Sequence, residues 1–243
     1  MLSLSYDLHI HSCLSPCGDN ESTPANIVGM AYVKGLDVIA LSDHNSSKNC
    51  VAAKEVADAY GVTLICAMEL TTSEECHVLM LMPSLEKALE LDEYVHQRIM
   101  PIQNSPELFG EQLIKNSDDE TVGIEDTLLI SATSISFSQA FPLAESFGGV
   151  ALPAHVDKST TSVISNLGFI PPDSTFKSFE MKNISRLEEF RSGYPYLQNC
   201  KAITNSDAHY LQDINEPVNF LHAEEKSAAA VIEALRHPNI LQE

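Results

Sequence analysis

Residues 6–19 read YDLHIHSCLSPCGD, and we expect the fold to be organised around this stretch. An apolar run from residue 2 to residue 10 ends here in small and turn-forming residues, which is typical of a strand that runs into a loop. His9 and His11 stand two positions apart, so in a strand their side chains lie on one face. Neutral imidazole is the commonest metal ligand, although a lone His-x-His also fits an ordinary core or surface pair. The remaining motifs must therefore decide between the two interpretations.

The length and composition indicate a single folded unit. The chain has 243 residues, of which 44% are apolar, and this predicts one globular domain spanning residues 1–243. No apolar run approaches the roughly 20 residues that a bilayer-spanning helix needs. The N-terminal residues contain neither a basic segment nor a cleavage-site pattern, so we expect a cytoplasmic protein without a membrane partner. Six cysteines occur without a C-x-x-C pair, which argues against a disulfide framework.

The charge balance is strongly acidic. The chain has 34 acidic and 14 basic residues, which give a formal net charge of −20. Affinity for a phosphate backbone depends on Lys and Arg, so this balance predicts that a long nucleic-acid duplex is not a partner. A small phosphorylated substrate, including a nucleotide, would need local positive charge, and bound divalent cations could supply it.

Apolar runs alternate with helical patterns along most of the chain. Buried-type strands are predicted at residues 36–41, 62–67, 78–82, 148–152, 176–181 and 200–204. Helical segments between them predict a parallel α/β fold, in which the carboxyl ends of the strands meet at one face. Residues 85–147 interrupt this rhythm, and we interpret them as a largely helical insertion with a helix near residues 106–116. His77 precedes its apolar run, so either a loop carries it over that face or the strand boundary is misplaced.

Six of the nine histidines lie in short polar motifs beside apolar runs: His9, His11, His44, His77, His155 and His209. Glu69 and Asp207 occur in motifs of the same kind. Mixed imidazole and carboxylate donors suit Zn²⁺, Mn²⁺ or Fe²⁺, and Glu69 is our candidate for a carboxylate that bridges two cations. Asp7, Asp43 and Asn45 are expected either to cap turns or to orient a ligand imidazole.

Six motifs occur in one order along the chain: DLHIHS at residues 7–12, SDHN at 42–45, MELTT at 68–72, HVLML at 77–81, PAHVD at 153–157 and NSDAH at 205–209. With this set the sequence resembles the PHP (polymerase and histidinol phosphatase) family of metal-dependent phosphoesterases. The resemblance implies a distorted (β/α)7 TIM-like barrel. It also implies two or three divalent metal ions, namely Zn, Mn or Fe with Mg as a further candidate, at the carboxyl ends of the strands. Residues 85–147 resemble a subfamily insertion.

The resemblance implies the metal ligands residue by residue: His9, His11, Glu69, His77, His155, Asp207 and His209. Five of them, His9, His11, Glu69, Asp207 and His209, are expected to form the catalytic core. His44 would belong to a third metal position. Its partner could be Asp19, Cys17 or neither, because SCLSPCGD is one residue longer than the common form of this motif.

The resemblance also implies the reaction, which is hydrolysis of a small phosphate ester of the sugar, amino-alcohol or nucleotide type by a metal-activated hydroxide. Lys158, directly after the PAHVD motif, is the first candidate to bind the substrate phosphate. Lys182 and Arg186 are further candidates, although solvated side chains would explain all three residues as well. Two alternatives remain open: a metal hydrolase of C–N or C–O bonds, and a non-catalytic PHP-type module that binds metal or a partner.

Overall fold

The computed structural model describes residues 1–238, and strands and helices alternate along most of this range. The strands are β1 (Leu2–Ile10), β2 (Val38–Leu41), β3 (Thr63–Thr71), β4 (His77–Met82), β5 (Leu113–Lys115), β6 (Thr121–Ile124), β7 (Val150–Pro153), β8 (Ser178–Glu180), β9 (Lys201–Ile203) and β10 (Phe220–Ala223). The α-helices are α1 (Pro24–Lys34), α2 (Cys50–Tyr60), α3 (Leu85–His96), α4 (Pro106–Phe109), α5 (Phe137–Ser146), α6 (Val163–Leu167), α7 (Leu187–Gly193) and α8 (Ala228–Arg236). Short 3-10 turns occur at Ile184–Arg186, Pro195–Asn199 and Leu211–Asp213.

The central sheet has six strands in the order β10-β1-β2-β3-β4-β7. Strands β1, β2 and β3 are parallel, whereas β4 is antiparallel to both of its neighbours and β10 is antiparallel to β1. Strands β8 and β9 form a separate parallel pair. The fold is therefore α/β with a curled, half-barrel sheet. Within residues 1–238, the paired strands do not close into the complete (β/α)7 ring that the family resemblance implied.

Local sequence explains where the first helix begins and ends. The Thr23 side chain accepts a hydrogen bond from the backbone N–H of Asn26, and Pro24 occupies the first turn, where its missing N–H costs nothing. Gly35 ends the helix in the left-handed region at φ 77°, which glycine adopts without steric cost. These features place α1 directly after the loop that follows β1.

The central sheet is buried on both faces, as its continuous apolar strands predict. In β2, Ile39 and Leu41 pack in the cluster formed with helices α1, α2, α3 and α5, whereas Val38 and Ala40 pack in the cluster that contains the apolar face of α8. This alternation follows from the two-residue period of a strand. None of the helices in residues 1–238 combines the length and apolarity that crossing a bilayer would require.

The prediction of a largely helical insertion at residues 85–147 is only partly correct. Helices α3 and α5 pack on the sheet, but the segment between them contains the single-turn helix α4 and the antiparallel hairpin β5–β6. The helix predicted near residues 106–116 stops at Phe109. Gly110 has φ 98°, and a Cβ atom there would lie 2.2 Å from the carbonyl oxygen of Pro16, so the chain turns sharply at a close backbone contact. The acidic residues 118–120 lie at the hairpin turn.

Candidate metal centre

A single carboxylate, that of Glu69 near the end of β3, lies at the centre of a histidine cluster. Glu69 is 1% exposed. Its Oε1 atom lies 2.9 Å from His77 Nδ1, 3.0 Å from His155 Nε2 and 3.3 Å from His9 Nε2. The two oxygens of Glu69 face different histidines, because Oε2 points towards His44 and His11. This is the arrangement expected of a carboxylate that bridges two cations.

The second oxygen of Glu69 faces the other half of the cluster. Its Oε2 atom lies 3.1 Å from His44 Nδ1 and 3.4 Å from His11 Nε2. The ring of His209 is stacked on that of His11, with centroids 4.4 Å apart. Three groups of donor atoms each lie within 4.8 Å of one another: His9–His11–Glu69, His44–Glu69–His77 and His11–His44–His209. The structure thus brings six of the predicted ligands into overlapping donor groups, and His155 and Asp207 lie beside these groups, at 3.0 Å from Glu69 and 3.5 Å from His9.

Asp207 connects this cluster to two lysines. Its Oδ1 atom lies 3.5 Å from the Nε2 atoms of both His9 and His11. Its Oδ2 atom accepts a hydrogen bond from Lys158 Nζ at 3.0 Å and lies 3.7 Å from Lys182 Nζ. Both lysine side chains are partly exposed, so they form a positively charged rim between the buried donors and solvent.

Strand direction explains how His77 reaches the site although it begins its strand. β3 and β4 are antiparallel, and His77 pairs with Thr71 at the end of β3. The amino end of β4 therefore lies at the same edge of the sheet as the carboxyl ends of β1, β2 and β3. No loop needs to reach over the site, and the strand boundary predicted from the sequence is shifted by only one residue.

Three residues of the site have left-handed backbone conformations. Asn45 has φ 47°, His155 has φ 28° and Asp207 has φ 53°. Such values are uncommon for non-glycine residues and persist only where the surrounding contacts enforce them. Asn45 illustrates those contacts, because its amide nitrogen donates to the backbone carbonyls of Leu129 and Ser131 at 2.7 and 2.9 Å. The base of the insertion is thereby attached to the loop that carries His44.

Glu180 is a functional candidate that the sequence reasoning missed. It is fully buried at the end of β8, and both of its oxygens lie 3.0 Å from His9 Nδ1. It also accepts hydrogen bonds at 2.8 Å from Asn205 Nδ2 and from the backbone N–H of His155. An acidic residue inside a predicted apolar strand, as in residues 176–181, was the signal that could have identified it. Its carboxylate fixes the ring of His9 and favours a proton on Nδ1.

A second hydrogen-bonded chain orients His11. The Ser15 hydroxyl donates to Asp43 Oδ1 at 2.7 Å, so it accepts from His11 Nδ1 at 3.0 Å. With protons on Nδ1 in both rings, the Nε2 lone pairs of His9 and His11 face each other 3.0 Å apart. Two lone pairs at that distance repel unless a proton or a cation lies between them. Asp43 thus has the orienting role that was one of its two predicted roles.

The electrostatics of the cluster favour cation binding. Burial disfavours the charged form of His9, but the carboxylates of Glu180 and Glu69 outweigh it and raise the pKa of His9 well above its usual value. Burial lowers the pKa of His11 to about 4. Burial opposes ionisation of Glu69 and Asp207, yet the neighbouring histidines hold the pKa of both carboxyls below their usual range. The ionised carboxylates and the neutral imidazole of His11 are in the protonation states that bind a divalent cation, whereas a cation that binds His9 must displace a proton from its ring.

The donor set therefore fits the divalent metals implied by the sequence. Imidazole nitrogens and carboxylate oxygens are the ligands of Zn²⁺, Mn²⁺ and Fe²⁺ sites, and thiolate donors are not required. The Nδ1 atom of His155 is buried and has no hydrogen-bond partner in residues 1–238, although such atoms are normally paired.

Besides His155 and Asp207, which contact the cluster through Glu69, His9 and His11, the donor groups found in residues 1–238 also leave out Asp19, Cys17 and Arg186. The Oδ1 atom of Asp19 accepts a hydrogen bond from the backbone N–H of Glu21 at 2.9 Å, so this carboxylate stabilises a turn. Cys17 is exposed, while partial burial of its thiol and the nearby Glu69 carboxylate raise the pKa of Cys17 to about 12. Arg186, predicted to bind substrate, instead forms hydrogen bonds of 2.8 and 3.0 Å with Glu189.

Comparison of the sequence with known proteins identifies related chains. A family model described as the PHP domain matches residues 7–138, which is more than half of the chain. An uncharacterised protein of Methanocaldococcus jannaschii is 32% identical over 100 residues, covering 37% of this chain and 58% of that protein. A 5'-3' exoribonuclease of Haemophilus influenzae is 35% identical over 74 residues, covering 30% of this chain and 26% of that protein. The match thus spans less than two thirds of either relative.

Solved structures share the fold at low sequence identity. The lesion-specific endonuclease Q of Pyrococcus furiosus superposes with a TM-score of 0.70 at 17% identity, over 97% of this chain and 56% of that chain. Endonuclease Q in complex with a 27-mer duplex containing an abasic lesion gives a TM-score of 0.69 at 16% identity, over 96% and 56% of the two chains. A two-domain Bacteroides vulgatus protein containing a predicted PHP-like metal-dependent phosphoesterase gives 0.56 at 19% identity, over 97% and 63%.

These neighbours correct the expectation that was drawn from net charge. A protein of this fold binds a DNA duplex, so the prediction that a long nucleic-acid duplex is not a partner is contradicted. The reason is that a formal charge of −20 is a sum over the whole chain, whereas a phosphate group responds to the field at the site, where two lysines lie beside Asp207.

The family match and the buried histidine–carboxylate cluster agree with each other: this chain belongs to the PHP domain family of metal-dependent hydrolases.

Proposed function

We propose that this protein is a phosphoesterase that hydrolyses a nucleotide-type phosphate ester, either free or within a nucleic-acid strand. The observation that carries the proposal is the placement of Lys158 and Lys182, whose ammonium groups lie 3.0 and 3.7 Å from Asp207 Oδ2. They are the cations directly beside the donor cluster in the part of the chain that the structure describes. A substrate group that reaches this centre therefore meets two positive charges at its entrance.

The chemistry of the rim favours an anionic substrate. A phosphoryl group has several oxygens that accept charge-assisted hydrogen bonds, and Lys is a common phosphate ligand. Burial opposes the charged form of Lys158, but Asp207 raises its pKa above the usual value, so it is charged at neutral pH. In a chain with a net charge of −20, a neutral substrate would gain nothing from these lysines, whereas a phosphate ester would be drawn to them.

The chain's own residues have distinct tasks in such a reaction. Bound divalent cations supply Lewis-acid polarisation of the phosphoryl group and activation of water. His9, His11, Glu69, Asp207 and His209 would hold them, together with His44, His77 and His155. Glu180 keeps His9 in its binding orientation, and the Ser15–Asp43 pair does the same for His11. Lys158 and Lys182 would orient the non-bridging phosphoryl oxygens and offset their charge in the transition state.

The related proteins support the nucleotide-type choice among the expected esters. One sequence relative carries the name 5'-3' exoribonuclease, and two structural neighbours are endonuclease Q. Their substrates are nucleic acids, whose scissile groups are phosphodiesters between nucleosides. Sugar phosphates and amino-alcohol phosphates lack such support, so we expect them to be poorer substrates.

The decisive experiment compares substrates before and after metal restoration. Metal-stripped protein should be inactive, and adding Mn²⁺, Zn²⁺ or Fe²⁺ singly should restore hydrolysis of single-stranded oligonucleotides, nucleoside monophosphates or both. Sugar phosphates, amino-alcohol phosphates, amides and lactones complete the panel. Metal-dependent cleavage of amides or lactones without cleavage of any phosphoester would reject the proposal in favour of a C–N or C–O hydrolase.

A further inference from the structure

A groove opens beside His77, between the base of the insertion and the loop that follows β7. Its volume is 570 Å³, and sites for small molecules span roughly 300–1,000 Å³. Its apolar wall consists of Met100, Ile102, Leu128 and Ile130. We call it the insertion groove. Because His77 also contacts Glu69 at 2.9 Å, a ligand in the groove lies next to the metal centre.

The apolar wall of the insertion groove is incompletely covered. Met100 is 53% exposed and Ile102 is 48% exposed, although Leu128 behind them is only 6% exposed. Large apolar side chains left in solvent beside a catalytic cluster often mark a ligand contact. A methionine thioether is polarisable and packs favourably against aromatic rings, so this wall suits a flat ring.

Two buried hydroxyl groups of the groove have no partner. Thr71 is 3% exposed and Ser131 is 8% exposed, and both residues line the groove. Neither Thr71 Oγ1 nor Ser131 Oγ makes a hydrogen bond within residues 1–238. Leaving a buried polar group unpaired costs about 1–3 kcal/mol, so such groups are normally satisfied. A rotation of either side chain towards the groove would let a ligand with donors and acceptors along its edge pair with its hydroxyl.

The insertion groove lacks the basic side chains that a phosphate group would need. No Lys or Arg occurs among the described residues that line it, and the ionisable side chains there are Glu75 and His77. The lysines of the site do not line the groove; their ammonium groups lie at Asp207, although Lys158 directly precedes Ser159 on the rim of the groove. A phosphate ester is therefore accommodated with its phosphoryl group towards the lysines and its uncharged organic part in the groove.

The rim of the groove is attached to the metal centre through a strained residue. Thr161 has φ 58°, which is unusual for a β-branched side chain. Its carbonyl oxygen accepts a hydrogen bond of 2.7 Å from the backbone N–H of His77. Strain of this kind is concentrated at functional sites, where surrounding contacts enforce it. The loop therefore contributes both to the wall of the groove and to the position of His77.

We infer that the insertion groove binds the nucleobase of the substrate. The ring packs against Met100 and Ile102, and its polar edge meets the hydroxyls of Thr71 and Ser131. This inference rests on the proposed function for the phosphoryl group, but it makes a separate claim about recognition. The insertion is then the part of the chain that selects the organic group of the ester.

Nucleoside binding tests the inference without turnover. Adenosine, guanosine, cytidine and uridine would be titrated onto the folded protein, with dissociation constants measured by calorimetry or saturation-transfer NMR. The double variant Met100→Ala/Ile102→Ala should weaken binding about tenfold, the effect of removing apolar contacts from a ligand pocket. Val218→Ala is the matched control, because Val218 is 70% exposed and lies outside the groove.

A second variant separates recognition from folding. Ser131→Ala removes a hydroxyl that has no partner in residues 1–238, so the melting temperature should be unchanged or higher while discrimination among the four nucleosides decreases. Failure of all four nucleosides to bind, or undiminished binding by the double variant, overturns the inference. Metal-dependent cleavage of a phosphodiester that lacks a base, such as bis(4-nitrophenyl) phosphate, tests the proposed function independently. Cleavage with no nucleoside binding would reject the groove and leave the phosphoesterase assignment standing.

Discussion

Replacing Glu180 by Gln should weaken metal binding without unfolding the protein. Glu180 accepts hydrogen bonds from His9 Nδ1 at 3.0 Å, from Asn205 Nδ2 at 2.8 Å and from the backbone N–H of His155 at 2.8 Å. Glutamine has nearly the same shape but only one acceptor oxygen. Its amide group would therefore face the Nδ1 proton of His9 or the amide of Asn205, and the imidazole would lose its fixed orientation and part of its basicity.

The expected magnitude follows from this geometry. Loss of a carboxylate that orients a ligand histidine typically lowers metal affinity about 10- to 100-fold, which corresponds to about 1.4–2.7 kcal/mol of binding free energy. The affinity of metal-stripped protein for Zn²⁺ or Mn²⁺ would be measured in competition with a chromogenic chelator. Circular dichroism would establish that the variant is folded.

The control for this experiment is another carboxylate that binds the backbone far from the site. Asp37 accepts hydrogen bonds of 3.0 Å from the backbone and hydroxyl of Ser5, and it precedes β2 at the opposite edge of the sheet. Asp37→Asn should leave metal affinity unchanged. If folded Glu180→Gln bound metal within about twofold of the wild-type affinity, the role assigned to Glu180 would be refuted.

Three further predictions concern the cluster and its rim. When the free metal concentration is 100 times the Kd, removing the metal with a chelator should lower the melting temperature by about 5–11 °C, because about 2.7 kcal/mol of binding free energy is lost. An unchanged melting curve would contradict metal binding by the folded state. Lys158→Ala should raise KM for a phosphate ester on the order of tenfold, whereas Lys87→Ala, on the exposed face of α3, should not; equal kinetics would remove Lys158 from the site. If the Cys17 thiol completes the third metal position with His44, the Co²⁺-loaded protein should show a sulfur-to-cobalt charge-transfer band. The substitution Cys17→Ser should abolish this band, and Asp19→Ala should retain it. Absence of the band in the wild type would exclude the thiol as a ligand.

Much of the cluster was predictable because its residues lie beside recognisable apolar runs. His9, His11 and Glu69 lie on or at the end of strands whose carboxyl ends meet at one edge of the sheet, so local patterns and elementary topology suffice to bring them together. The direction of a strand is not visible in such a pattern. The apolar residues of β4 read alike in either direction, and only pairing with β3 places His77 at the site.

Other parts depend on contacts between distant segments. Glu180 is separated from His9 by 171 positions, and no local pattern links the two. The strands of the hairpin β5–β6 have only three and four residues, which is too short for an alternating pattern to be recognised from the sequence. Its position is defined by a hydrogen bond from the backbone N–H of Leu113 to the Cys13 carbonyl and by the side chain of Asn49, which donates to the Leu113 carbonyl and accepts from the backbone N–H of Lys115. These contacts arise only when the fold is assembled. The effect of net charge was misjudged for a related reason, since composition contains no information on where the charges lie.

The attachment of the insertion through Asn45 has a consequence for how this enzyme can diversify. Asn45 holds the carbonyls of Leu129 and Ser131, and it is adjacent in sequence to His44. Substitutions in the segment that Asn45 attaches would therefore disturb the metal centre and the insertion groove together. Within the described residues, the hairpin turn at residues 116–120 has no such link, and it is partly exposed. New substrate preferences could therefore be acquired by exchanging this turn, and a chimera joined at residues 115 and 121, which keeps the contacts of the hairpin strands to Cys13 and Asn49, should retain the metal centre of the recipient chain.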